Sequence, residues 1–194
     1  SIGLVGSEMC IRDRSKLEGE EKILKNFPLA TIIRPSIVYS VDDNFTTNFM
    51  TLLNRLPIFP LYYEGKTKFA PIHCSDLTDV IFNIISNNVN SKIIECAGPE
   101  VISFKEILKK LLNLIGKKRL LIPMPLPLAQ LSARVFEIMP KPILTRDQLK
   151  LLKYDNVLSG KYKSNSDIGV PSLRYFDEEV KKYCYMWRLS LIHI

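Results

Sequence analysis

The sequence predicts an α/β protein, and three observations carry that expectation. Amphipathic helical stretches alternate with short β-branched runs between residues 15 and 116. Each run ends in a polar or turn-forming segment. Beyond residue 118 the chain becomes Pro-punctuated and aliphatic, the pattern of a small, mostly helical lobe. The residues are 46% hydrophobic and 24% charged with 8 Gly and 12 Pro, which excludes disordered and collagen-like classes.

From Ser15 to Asn26, Leu17, Ile23 and Leu24, and then Phe27, recur among charges at helical spacing, and Pro28 closes the segment. LATIIRPSIVYS follows as a strand suited to burial in a parallel sheet, ending at Pro35 and a polar loop. Residues 44–56 predict a helix, and KTKFAPIHC a strand after a turn at Gly65. SDLTDVIFNII predicts a helix with Ser75 or Asp76 as N-cap and with Leu77, Val80, Ile81, Ile84 and Ile85 on one apolar face. KIIECAG is another buried strand. SFKEILKKLLNLIG carries a capping box, Ser103 with Glu106, and Gly116 as its stop. A helix is expected near 127–139 and a second from Thr145, capped by Thr145 and Gln148. The last helix, 176–187, sets Val180, Tyr183, Cys184 and Trp187 on one face.

The net charge of +7 comes from lysines spread along the whole length, which argues against a nucleic-acid partner. Cys10, Cys74, Cys96 and Cys184 lie far apart without C-x-x-C or zinc spacing and read as buried free thiols. With His73 and His193 the only histidines, no metal site is expected. No stretch approaches the ~18 apolar residues of a membrane span. VGSEMCIRD and LSLIHI resemble translated sequencing-adapter sequence, so residues 1–14 and 189–194 are set apart as non-native. The genuine chain is expected over 15–188, truncated at its N-terminus.

In order and spacing, SKLEGEEKIL, ATIIRPSIVYS, FAPIHCSDLTDVI and AGPEVISFKEIL resemble the second half of the extended and atypical short-chain dehydrogenase/reductases, the NAD-dependent epimerase/dehydratase group. The tail LLIPMPLPLAQLSARVFEIMPKPILTRDQLKLLKYDNV is similar, within that group, to the dehydrogenase-like accessory subunits of respiratory complex I and their bacterial relatives. The resemblance covers 15–188. It implies the C-terminal half of a Rossmann-type parallel sheet with helices over 15–118, plus a small mostly helical lobe over 119–188.

The resemblance also implies a Tyr-x-x-x-Lys pair on one face of a helix, in which the ammonium binds the nicotinamide ribose and lowers the pKa of an acid/base phenol. Lys16 falls at the lysine position. The tyrosine position holds Arg12, inside the adapter-like stretch. Without the resemblance Lys16 reads as a solvated lysine. Pro35, Ser36, Ile37 and Val38 are expected to pass under the nicotinamide, with Ser40 where the family usually has glycine. The glycine-rich turn that holds the pyrophosphate belongs to the absent half. NAD(P) is therefore the cofactor expected of the intact parent, with none bound by the fragment.

His73 reads as a packed, hydrogen-bonded residue, Asp76 as a cap, and Glu18, Glu20 and Glu21 as solvated carboxylates. The strip 119–152 carries Arg119, Arg134, Lys141, Arg146 and Lys150 against Glu137 and Asp147 among large aliphatics. It suits either an anionic membrane surface or the core of a substrate lobe.

Three functions follow. The first is a complex I-associated NAD(P)-binding subunit with a structural or regulatory nucleotide, cytoplasmic and peripheral on the inner face of a bacterial membrane or on the mitochondrial matrix side. The second is an oxidoreductase or epimerase acting on a sugar nucleotide or isoprenoid-like substrate. The third is a membrane-interaction module without nucleotide.

Overall fold

The computed structural model describes residues 11–89, 93–125 and 152–188, with side chains from residue 16 onward. The expected helices near 127–139 and from Thr145 lie outside the described residues, as do residues 1–10 and 189–194; Ile11–Arg14, set apart with the N-terminal stretch, begin the first helix.

The first helix, α1 (Ile11–Asn26), leads through a tight turn at 27–31 into β1 (Ile32–Pro35). β1 pairs in parallel with β6 (Ile93–Cys96), and β6 in parallel with β9 (Lys163–Ser164). A parallel pair cannot be closed by a hairpin and needs a crossover. That crossover contains α3 (Cys74–Ser86), whose Leu77, Val80 and Ile84 pack with Ile33, Ile72, Ile94 and Cys96 as one apolar cluster. The β-branched run at 32–33 thus becomes a strand because parallel pairing satisfies its backbone and the cluster under α3 partly buries Ile33.

A second, larger core gathers around α4 (Phe104–Ile115). The expected capping box is present: the Ser103 side chain accepts the Glu106 N–H, and Glu106 returns to the Ser103 N–H at 2.7 Å. Gly116 ends the helix in the left-handed conformation, at φ 67°. Between these ends Phe104, Ile107, Leu108, Leu111, Leu112 and Ile115 are buried. They face α2 (Thr46–Arg55), the strand β3 (Ile58–Tyr62), and the C-terminal helices α5 (Phe176–Lys181) and α6 (Tyr185–Arg188). β3 pairs in parallel with β8 (Leu120–Met124). Two short pairs join the cores: β2 (Val38–Tyr39) with β5 (Ile72–His73), parallel, and β4 (Lys68–Phe69) with β7 (Ile102–Ser103), antiparallel.

Several expectations are corrected. KTKFAPIHC makes two strands rather than one, because Pro71 interrupts it and supplies no N–H to a ladder. The α3 N-cap is His73, not Ser75 or Asp76, and Ile81 and Ile85 face outward, Ile85 at 71% exposure. The last helix breaks at 182–184 into α5 and α6. The predicted face nevertheless holds, with Val180, Tyr183 and Cys184 buried and Trp187 packed against them. Cys96 and Cys184 are buried free thiols, but Cys74 is exposed. Arg119 is not available to an external surface: its guanidinium donates to the Leu53 and Asn54 carbonyls, both at 2.9 Å, and so satisfies the C-terminal end of α2.

Candidate functional site

The C-terminal end of β1 is where the residues singled out for cofactor contact meet. Pro35 closes the strand and is exposed; Ser36 and Ile37 form the link to β2, which begins at Val38. This link is held from both sides. The Ser36 N–H donates to the Cys96 carbonyl at 2.8 Å, and the Ile37 carbonyl accepts the Ile72 N–H at 2.9 Å. The Ser36 hydroxyl donates to the Asn156 carbonyl at 2.8 Å and accepts the Ala70 N–H at 3.3 Å. Ser36 is therefore a framework residue, tying β1 to the β4–β5 link and to the segment around Asn156.

Lys16 stands on α1 and is exposed. Glu20, one turn after Lys16 on the same helical face, meets Arg34, the residue before Pro35; the guanidinium reaches both carboxylate oxygens, with Nε at 3.2 Å from each. The 35–38 link stands at the C-terminal end of β1, the end at which open α/β sheets bind their ligands.

Glu20 corrects the expectation of a solvated carboxylate. Its partner Arg34 also lies over the Tyr162 ring, 5.1 Å from the centroid, and its pKa is raised by the hydrogen bond and charge of Glu20. The signal was present in IIRP: an arginine inside a β-branched run needs a partner. The sequence did not show which of three glutamates supplies it.

Around β2, β5 and the start of α3, which follow this link, lies a polar cluster that sequence reasoning only partly anticipated. Asp76, taken as a cap, is buried at 4% exposure and accepts the Arg174 N–H at 3.1 Å while pairing with its guanidinium, which also reaches Asp79 at 3.1 Å. His73 is packed and hydrogen-bonded as expected, its Nδ1 accepting the Ser75 N–H at 3.2 Å. The wholly buried Tyr39 meets the His73 ring edge-on at 5.3 Å and donates to the Arg174 carbonyl. Burial raises the Tyr39 pKa, so its phenol is a fixed donor at neutral pH. Among the described residues, no group of three or more His, Cys, Asp or Glu is arranged to hold a metal ion.

No protein-family model matches the chain. Its sequence is 27% identical over 157 residues to the NADH dehydrogenase (ubiquinone) 1 alpha subcomplex subunit 9, mitochondrial, of Arabidopsis thaliana, covering 75% of this chain and 39% of that protein. The Rattus norvegicus protein of the same name is 30% identical over 162 residues, covering 81% of this chain and 42% of the relative. The chain is a relative of these subunit 9 proteins. It spans less than half the length of either of them.

Solved structures agree on the fold. The Thermus thermophilus UDP-glucose 4-epimerase in complex with NAD superposes with a TM-score of 0.60 at 12% identity, over 92% of this chain and 53% of that one. A Streptomyces venezuelae dTDP-glucose 4,6-dehydratase with NAD bound gives 0.59 at 14% identity, over 92% and 51%. The expected Rossmann-type α/β fold is therefore present. Both subunit 9 relatives are mitochondrial by name. Among the described residues no helix is long and apolar enough to cross a membrane.

Proposed function

We propose that this chain is the C-terminal part of an NAD(P)-binding, dehydrogenase-like subunit that assembles with respiratory complex I, and that its nucleotide serves structure or regulation. The observation that carries this reading is the similarity to subunit 9 proteins over 75% and 81% of this chain. The fold supports the nucleotide, because the epimerase and dehydratase that share it were solved with NAD.

The residues present fit such a ligand at one end only. Lys16, exposed on α1, would place its ammonium against the nicotinamide ribose hydroxyls. The link 35–38 would lie under the ring, and because the Ser36 N–H is committed to Cys96, the Ile37 N–H is the amide we assign to the carboxamide. The pyrophosphate site would come from a glycine-rich turn in the parent, ahead of Ser15, beside the outer edge of β1. When bound, the nucleotide would supply hydride chemistry only if the parent also places a tyrosine four residues before Lys16.

Blue-native electrophoresis of membranes from cells expressing the full-length parent tests the assembly. Co-migration with complex I is the expected result. A parent that runs only as a free protein and turns over a sugar nucleotide with NAD(P) would replace this reading with the oxidoreductase.

A further inference from the structure

We propose that the outer face of β3 and β8, with the cations at its near end, is a docking surface for an anionic lipid bilayer. The face lies wholly within this chain, so the proposal goes beyond the reading above and needs neither the nucleotide nor complex I.

The two strands form a small parallel sheet with one face on the larger core. Phe59 and Leu61 of β3 are buried there, and Leu121 of β8 packs against the same cluster. Side chains alternate along a strand, so Ile58, Pro60, Leu120 and Ile122 point the other way. The register sets Ile58 beside Leu120 and Pro60 beside Ile122, which makes one continuous aliphatic patch. Parallel strands ordinarily have both faces covered. Here the outer face stays open, with Ile58 52% exposed, Leu120 58% and Ile122 42%.

Parallel strands also begin at the same end, and each of these two is preceded by basic residues. Arg55 ends α2 three residues before Ile58; Lys117 and Lys118 come just ahead of Leu120. The Arg119 guanidinium, bound to the Leu53 and Asn54 carbonyls, holds the second group against the end of α2. The Leu120 N–H adds a bond to the Pro57 carbonyl at 3.2 Å. Arg55, Lys117 and Lys118 therefore gather at one end of the aliphatic patch. No carboxylate among the described residues pairs with any of the three. The sequence places none close by either, since 44–63 and 107–136 contain no Asp or Glu.

Cations are favoured at the C-terminal ends of helices, and two arginines serve that purpose directly: Arg119 at the end of α2, and Arg188, which donates to the Leu114 carbonyl of α4. Arg55 and Lys118 remain exposed to solvent. The combination selects the partner. Cations alone would suit any polyanion, but a nucleic-acid backbone offers nothing to a row of aliphatic side chains. A bilayer surface answers both, with phosphate headgroups for the cations and the acyl boundary for Ile58, Leu120 and Ile122.

Vesicle co-sedimentation of the 194-residue chain tests this, using phosphatidylcholine vesicles with about one-third phosphatidylglycerol and phosphatidylcholine alone. At about 0.05 M salt the chain should pellet with the anionic vesicles only. Arg55→Gln with Lys118→Gln should weaken that binding about tenfold or more at an unchanged melting temperature. Ile58→Ser with Leu120→Ser should weaken it too, and the binding left should be removed by less salt than in the unaltered chain, because charge attraction is screened and apolar burial is not. Absence of pelleting, equal uptake by neutral vesicles, or unchanged binding in the Arg55 and Lys118 variant would overturn the proposal. So would loss of binding only in Arg134→Gln with Lys141→Gln and Arg146→Gln, which would give the lipid to the strip at 119–152 instead. Self-association abolished by the serine variant, in a chain that ignores vesicles, would give the face to a second copy. If the serine variant does not fold, the charge variant decides alone, since both of its side chains are exposed.

Discussion

Gly98 follows β6 at a place where two backbones nearly touch. Its N–H donates to the Ala70 carbonyl at 3.0 Å, and a Cβ added there would lie 1.7 Å from the Pro71 carbonyl oxygen. No side chain can move aside, because the obstacle is main chain. Gly98→Ala should therefore cost more than about 3 kcal/mol, at or beyond the upper end of overpacking effects. Urea unfolding measures it. A loss below about 1 kcal/mol would mean that this approach is not held in solution. KIIECAG read as a buried strand, but the partner backbone at Pro71 was not legible, since nothing local encodes a long-range approach. The same limit hid the contact of Glu20 with Arg34, and the pairing of Asp76 with Arg174 across 98 residues.

Helices α4 and α1 show the two extremes at the next scale up. α4 has a reciprocal cap, a glycine stop and six buried apolar residues. Every one of these was readable, because period, cap and stop sit within one short stretch. Ser103→Ala should cost about 1 kcal/mol, and Leu108→Ala about 2–5 kcal/mol, in the same urea experiment. Equal losses would indicate that the helix is held by its ends rather than by its face.

In α1, by contrast, no residue from Lys16 to Asn26 is buried, and Phe27 beyond it is 68% exposed. Its amides should exchange with deuterium well before those of α4, since few apolar contacts resist opening. The strands split along a similar line. Ile32–Pro35 and Ile93–Cys96 were legible as β-branched runs. β3 and β8 were not, because Pro60 and Pro123 sit inside them and argue against a strand from sequence alone. β4 and β5 were legible as the single run KTKFAPIHC, whereas β7 and β9, two residues each, are too short for any period to register.

Across the whole molecule, part of the basic charge is used inside the fold. Arg34, Lys110, Arg119 and Arg174 each serve a carboxylate or a helix end. The +7 net charge thus says little about an anionic partner, and the strip at 119–152 remains an expectation for Arg134, Lys141 and Arg146, outside the described residues. What the molecule does present is one end of β1. There the link 35–38 stands, on a sheet whose β1 edge carries no further strand among the described residues. The Rossmann-type α/β order of elements was legible because several motifs stand at fixed spacing. The clamp of Glu20 on Arg34 was not, because it joins side chains of two separate elements.

Whether this end of β1 completes a nucleotide site only in the parent is decided by calorimetric titration of NAD+ and NADPH. The titration is run on the 194-residue chain, on the full-length parent and on the parent with Lys16→Met. Saturable binding is expected of the parent alone. Loss of the ammonium should weaken that binding by about tenfold or more, as expected for a charge-assisted hydrogen bond, with no change in melting temperature. Micromolar binding by the 194-residue chain, or an unchanged affinity in Lys16→Met, would contradict this assignment.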